Sequence, residues 1–356
     1  MDELDDVFVA DAVTHAYNQT EENWRVPEWA EPIANVGYGL EMSMPEGYSR
    51  TREAFLGDWP VEATENTVFR ESQTDFAVFH PQSIMVFHDG LTALDKAEQF
   101  VDRNPTRGAA LASIDAVGLD DPQAELTRQV DMLDPHGVKV YPSYWEEDGT
   151  HEPFFMDDPE VAFPLWQHAV DLGLDVVAVH KAFPFGSAPM ESYEVGDVEE
   201  AANSFPELNF EIVHGGLSFA EETGWQIARH PNVYVNLELT LAELITAPES
   251  FAETLEDLLY GGGEQALDKI LWGTGAPHFH PGLLLERFWE YDFPEMQSFS
   301  GTFEITQEDK KKILGENWAE AHGFDIDEIR SDIADDEYSD VDLTDEWQST
   351  GFEVAR

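Results

Sequence analysis

Three histidines close apolar runs in this chain. His15 follows Ala12-Val13-Thr14, His180 ends Leu174-Asp175-Val176-Val177-Ala178-Val179, and His214 ends the run that starts at 209 and leads into Gly215-Gly216. Neutral imidazole is the commonest protein ligand for metals, and a catalytic Zn²⁺ site wants about three protein ligands with water in the open position. Without a metal, the same rings suit general acid–base chemistry. One such histidine alone reads as a hydrogen-bonded strand end, but three at equivalent positions read as a site. Lys139 lies within Gly137-Val138-Lys139-Val140-Tyr141, in a chain with only seven lysines. A buried lysine needs a partner. That partner is a substrate carboxylate, a pair of metals bridged after carboxylation, or one of the many acids. Lys181, next to His180, is read as a second carboxylate anchor or as half of an ion pair. Tyr141 closes the Lys139 run, Glu238 closes Asn236-Leu237-Glu238, and His278 and His280 follow Gly273-Thr274-Gly275-Ala276-Pro277, within reach of a substrate. The other histidines, at 80, 88, 136, 151, 168, 230 and 322, are read as surface or structural residues.

These groups meet only if the ends of the runs converge. Candidate strands lie at 7–14, 75–80, 109–114, 137–141, 174–180, 209–214, 232–238 and 269–274. Helical signals separate them. Asp158-Pro159 opens a helix that Gly173 closes, Ser218 and Glu221 have capping-box spacing, and a helix from Asp197 must stop before Pro206. Alternating helices and non-alternating apolar strands imply a parallel sheet covered by helices, and eight strands favour a closed (β/α)8 TIM barrel. The open doubly wound sheet is the alternative, although no Gly-rich phosphate loop follows the first strand. In a barrel, catalytic groups sit at the C-terminal strand ends. Residues 16–72, with Trp24, Trp29, Tyr38, Phe55 and Trp59, are read as a cap inserted after strand one. The barrel then runs over 1–324. An acidic C-terminal extension covers 325–356, and its 325–346 segment, with 11 acids and one Arg, is read as a solvated tail or surface helix.

The 356 residues include 74 Asp+Glu, 18 Lys+Arg and no Cys, for a formal charge of −56. That excludes disulfides, thiol nucleophiles and thiolate metal sites. It also argues against nucleic acid and anionic membranes as partners, which need Lys and Arg. Disorder is excluded by a hydrophobic share of 42% with 10 Trp, 23 Phe and 10 Tyr. Acid spread over the whole chain reads as a surface adapted to molar salt, where a Debye length of ~3 Å screens self-repulsion. The expectation is a cytoplasmic protein of a salt-accumulating halophile. The acidic start, Met1 to Asp6, lacks the basic and apolar regions of a signal peptide.

The strand ends resemble the amidohydrolase superfamily, specifically amidohydrolase-related family two, which includes aminocarboxymuconate-semialdehyde decarboxylase and resorcylate-type decarboxylases. The likeness covers roughly 7–324. It is carried by Asp11-Ala12-Val13-Thr14-His15, Val179-His180-Lys181, Ile212-Val213-His214-Gly215-Gly216, Ile270 to His278, and Ile313-Leu314-Gly315-Glu316-Asn317-Trp318. The resemblance implies metal ligands at His15 and His180 and a water-positioning or catalytic role for His214. It also shows two departures. The first histidine of the strand-one pair is Val13, and the strand-eight Asp is Gly275. Glu238 is the candidate replacement carboxylate, with Asp11 behind it.

The leading expectation is therefore a Zn²⁺- or Mn²⁺-dependent enzyme with metal ligands His15, His180 and Glu238 and catalytic His214 and Lys139. Lys181, Tyr141 and His278 would bind a small substrate, expected to be a carboxylate. The reaction is hydrolysis of a C–N or C–O bond, or decarboxylation of an unsaturated or aromatic acid. The alternatives are a metal-free acid–base enzyme and a barrel that binds without catalysis. A homodimer is the assembly the resemblance implies, although no residue here bears on it.

Overall fold

A computed structural model describes residues 4, 6–181, 184, 188–339 and 341–355; of the acidic start, Met1, Asp2, Glu3 and Asp5 lie outside them. The strands in chain order are β1 (Ala10–Thr14), β2 (Phe76–Phe79), β3 (Gly108–Ala110), β4 (Ala112–Ile114), β5 (Gly137–Val140), β6 (Ser143–Trp145), β7 (His151–Pro153), β8 (Val176–His180), β9 (Asn209–Val213), β10 (Val233–Asn236), β11 (Ile270–Leu271), β12 (Met296–Ser298) and β13 (Gly301–Phe303). β6–β7 and β12–β13 are small antiparallel hairpins. The others form parallel sheets in the order β1-β2-β3 and β4-β5-β8-β9-β10-β11. The expected strand 109–114 is interrupted at Leu111, so that β3 pairs with β2 while β4 pairs with β5. The far edges also meet. Ala12 N donates to Trp272 O (3.0 Å), Gly275 N to Val13 O (2.8 Å) and His15 N to Ala276 O (2.8 Å). The fold is the TIM barrel expected from the strand count.

Strand periodicity decides what enters the barrel. Val138 and Val140, Val177 and Val179, Phe210 and Ile212, and Val233 and Val235 belong to the apolar layer shared with the outer helices. Successive side chains point to opposite faces. Lys139, Ala178, Glu211 and Asn236, of the opposite phase, therefore project inward, and all are buried. Each outward Val or Ile contributes about 1.5–3 kcal/mol by burial, which holds the strands in register and fixes the inward polar residues.

The insertion after β1 has two parts. Helices Pro27–Glu41 and Arg52–Phe55 form the cap, with Tyr17, Val26, Ala30, Phe55 and Trp59 clustered against Ile84, Val86 and Leu91 above the mouth. Val61–Phe69 instead packs on Leu94–Arg103 through Val61, Val68, Phe69, Ala97 and Phe100, as an outer barrel helix. One capping expectation changes: Ser218 makes no cap. The helix expected from Asp197 runs over Val198–Ser204 and stops before Pro206, with the Asp197 carboxylate turned to Lys181.

The end of the chain is more engaged than a solvated tail. Asp325 caps the surface helix Ile326–Ile333. Beyond it Trp347 is buried, Glu71 accepts from Trp347 N and Ser349 N (both 2.8 Å), and Ala355 N donates to Ser49 O (2.8 Å). Trp347 and Phe352 complete an aromatic cage with Trp59 and Phe55 around Arg50, whose guanidinium lies 3.8 Å from the Trp59 ring centroid and grips Glu41. The last residues thus pin the cap. Among the described residues, no helix is long and apolar enough to cross a membrane.

Candidate functional site

His180, His214 and Glu238, at or just beyond the ends of β8, β9 and β10, form one continuous row. The Glu238 carboxylate contacts His214 Nδ1, and His214 Nε2 lies 2.6 Å from His180 Nδ1. Burial raises the Glu238 carboxyl, but His214 beside it, helped by His15 and Lys139, outweighs that and holds it down to about 2. An ionised Glu238 fixes the tautomers: His214 donates from Nδ1, accepts at Nε2, and so takes the Nδ1–H of His180.

Local backbone aims this row. His214 has a φ of 78°, a left-handed conformation rare for a residue with a side chain. It is held there by Thr240 Oγ1 donating to its carbonyl (2.7 Å) and by Gly215 N donating to Asn236 O (2.6 Å). Asn236 Oδ1 accepts from Glu238 N (3.1 Å) and His214 N (3.4 Å), so one buried amide sets both residues. Gly275 makes room: at its φ of 70°, a Cβ would lie 2.5 Å from Glu238 Oε1. The Glu238 carboxylate therefore fills the space that a side chain at 275 would enter. Asp11, the weaker candidate, is instead bound by Thr274 and Val13 N, and burial pushes its carboxyl up to about 7.

The remaining expected site residues divide. His15 lies in the inner wall, where its Nδ1–H meets His80 O (2.9 Å) and its Nε2 faces the Gln82 amide (3.4 Å). Burial lowers its pKa to about 4. Lys139 is buried in the barrel interior, its Nζ 5.4 Å from the Tyr141 ring centroid. Burial brings it down to about 8 against the opposing pull of Glu211 and Glu238. Tyr141 is buried between His180 and Gln82. His278 donates from Nε2 to Gly37 O (3.0 Å), tying the cap to the loop after β11. Lys181 is not available as a substrate anchor: it is fully buried and bonds Asp197 (2.7 Å) and Ser192 O (2.6 Å).

A cavity of about 210 Å³ lies between cap and strand ends. Its polar floor includes His180, His214, Glu238, Tyr17 and Gln82, and His278 stands in its wall. Ile33, Val36, Leu40, Phe55 and Leu239 make it mostly apolar. Lys139, Lys181, Tyr141 and His15 are not among its lining residues. Pockets for drug-sized ligands run ~300–1,000 Å³, so this one suits a smaller molecule. The sequence reading missed Gln82, which bonds both Tyr17 and Tyr141, and Tyr17, whose ring stacks on His15 at 5.3 Å. It also missed His80, fully buried with neither ring nitrogen hydrogen-bonded among the described residues. None of the three belongs to a spacing pattern.

The expected metal set is not assembled. Among the described residues, no three His, Asp or Glu side chains are placed to hold a metal ion. The reason is visible in the donors. The Nε2 of His15 faces Gln82, the Nδ1 of His180 and the Nε2 of His214 meet each other, and Glu238 is turned to His214. The lone pairs of His15 Nε2 and His214 Nε2 and the Glu238 carboxylate are directed at neighbouring hydrogens.

A protein-family model described as "Amidohydrolase" matches residues 43–324. Among solved structures, an uncharacterised TIM-barrel protein from Bordetella bronchiseptica shares 16% identity at a TM-score of 0.63, over 89% of this chain and 100% of that one. The 5-carboxyvanillate decarboxylase of Novosphingobium aromaticivorans, complexed with manganese and 4-hydroxy-3-methoxy-5-nitrobenzoic acid, shares 12% at 0.53, over 90% and 97%. A dihydroxybenzoic acid decarboxylase from Polaromonas, with manganese and 2-nitroresorcinol, shares 15% at 0.51, over 89% and 96%. At such identities the likeness is one of fold. No curated protein matches the chain.

Proposed function

Because the chain belongs to the amidohydrolase family, we propose that it is an enzyme that transforms a small, largely apolar molecule by proton transfer along Glu238, His214 and His180. The observation that carries this reading is the hydrogen-bonded row itself, all three members of which face the cavity. A base oriented by a third group is the arrangement acid–base catalysis needs. Glu238 stays ionised, holds His214 in one tautomer, and stabilises the imidazolium formed when the row takes a proton. In hydrolysis of a C–O or C–N bond, that proton comes from the attacking water and returns to the leaving group. In decarboxylation, the row delivers a proton to the carbon that loses CO2. Both reactions use the same residues, with Tyr17 and Gln82 as hydrogen-bond partners for a substrate oxygen.

The manganese in the two decarboxylase structures favours a second reading, a divalent metal held by His15, His180 and Glu238. That set does not fit the donors as they stand, since His15 and Glu238 would have to leave Gln82 and His214, and no step is assigned to it. Lys139 acts through charge on Glu238 and Glu211 in this reading. The acid distribution supports a salt-adapted cytoplasmic protein, for which nucleic acid and membranes are poor partners.

The test is turnover of a panel of small aromatic acids, esters and amides in concentrated KCl, with and without chelator. His214→Asn is expected to lose roughly 10²–10⁴-fold in rate with its melting temperature unchanged, and chelator to have no effect on the parent. Full activity in His214→Asn, or activity lost to chelator and restored by manganese, would contradict the proposal.

A further inference from the structure

We infer that the cavity selects an uncharged ligand and rejects a carboxylate, a conclusion that rests on the acid–base reading of the same site. The argument is an inventory of cations. No Lys or Arg is among the described residues that line the cavity, whereas Glu238 is. Among the described residues, the cations around it already face an acid or a carbonyl, including Arg52 of the cap, which donates to Asn35 Oδ1 (2.7 Å). Arg50 is fully buried against Glu41 inside its aromatic cage. Lys96 bonds Asp58 (2.5 Å) and the carbonyls of Ala16 and Trp59 (both 2.9 Å). Arg25 bonds the Met85 carbonyl (2.6 Å) and the Trp145 carbonyl. Lys181 is held by Asp197. Lys139, the remaining candidate, stands behind the wall with its charge set against Glu211 and Glu238.

A carboxylate entering this space would leave water without a compensating cation and lie beside a second carboxylate. Both terms are unfavourable, and a low-dielectric wall strengthens the repulsion. An uncharged ring meets the opposite conditions. Ile33, Val36, Leu40 and Phe55 cover its apolar body, while Tyr17, Gln82 and the histidines serve one polar end. The inference therefore favours the hydrolytic arm. The row takes a proton from water, His180 passing its Nδ1 proton to His214 Nε2, as the hydroxide oxygen bonds the carbonyl carbon. The C–O or C–N bond then breaks, and the proton passes to the leaving oxygen or nitrogen. The product acid, ionised in a site that repels it, is driven out.

The experiment compares methyl benzoate and benzoate as probes, by ligand-observed NMR titration of the full chain at neutral pH. Concentrated KCl is used so that the field of the −56 chain is screened and only local charge discriminates. Benzoate is expected to bind at least tenfold more weakly than methyl benzoate, and the gap to narrow in Glu238→Gln. Equal or tighter binding of benzoate overturns the inference. If Lys139→Met then abolishes that binding, Lys139 is the anchor that the inventory rejects. Failure of both probes to bind also overturns it. An ester that binds but is not hydrolysed contradicts the acid–base reading and leaves the ligand class standing, so the two failures are distinguishable.

Discussion

Two Glu–His–His rows stand in this barrel, built from the same residue types and used differently. At the mouth, Glu238 meets His214 and His214 meets His180 at 2.6 Å. Deeper in the barrel, Glu211 accepts from His322 Nε2 (3.0 Å), whose Nδ1 lies 2.9 Å from His136 Nε2. Asn236 joins them, its Nδ2 donating to Glu211 while its Oδ1 holds the backbone of His214 and Glu238. The upper row faces a cavity and carries a left-handed residue at its centre. The lower one stitches β9 to the helix Asn317–His322 and to the residue before β5, with Trp318 stacked on His322 (5.2 Å). Identical side-chain chemistry is thus enclosed by packing in one place and presented to a cavity by a left-handed backbone in the other, where we propose that it is catalytic.

The comparison can be broken from below first. Glu211→Ala removes the acceptor shared by Asn236 and His322 and the counter-charge to Lys139, all buried. Removing one partner from a buried pair costs about 3–5 kcal/mol. We expect a loss of that size in denaturant melts, with activity following the folded fraction. A site variant such as His214→Asn should do the reverse, losing rate and keeping stability. Equal stability losses in both would remove the distinction between the rows.

Acid sharpens the contrast with a smaller effect. Burial holds His15 down to about 4, and His80 and His136 well below their ordinary range. These rings refuse protons that the unfolded chain accepts near pH 6.5, so their share of stability is lost as pH falls from about 6.5. Asp11 and Asp115 oppose this, because burial lifts them to about 7 and about 6 and their folded forms gain as pH falls. His151, His230 and His278 are lowered as well, and Asp75, Asp157 and Glu243 raised. Six histidines against five acids predict a net decline toward pH 4, below which Glu238, held at about 2, adds its own loss. His136→Gln should flatten the slope by up to about 1.4 kcal/mol per pH unit, one proton's worth, and leave turnover unchanged. A slope unmoved by that substitution would mean the lower row does not resist protonation.

Much of the barrel was legible in the chain because apolar strand runs and their turns are local patterns. His180, His214 and Glu238 could be found for the same reason, each standing at or just past the end of such a run. What the runs do not encode is partnership across the barrel. The pairing of Lys181 with Asp197 spans 16 positions and follows no local pattern. The lower row joins residues up to 186 positions apart, and His136 and His322 sit on a turn and a helix with no common spacing. The docking of Trp347 and Phe352 around Arg50 is likewise long-range, and acidic composition concealed it. The metal set depends on partnership at the same level: the residue types suit a cation, but His15 is turned to Gln82 and Glu238 to His214.

The central claim is that the upper row is a hydrogen-bonded acid–base device in place of a metal set. Elemental analysis of the protein, purified in concentrated KCl without chelators or nickel resin, tests it most directly. The account predicts zinc and manganese far below one per chain in protein that is folded and active. Near-stoichiometric metal that disappears in His180→Ala while the fold survives would contradict it.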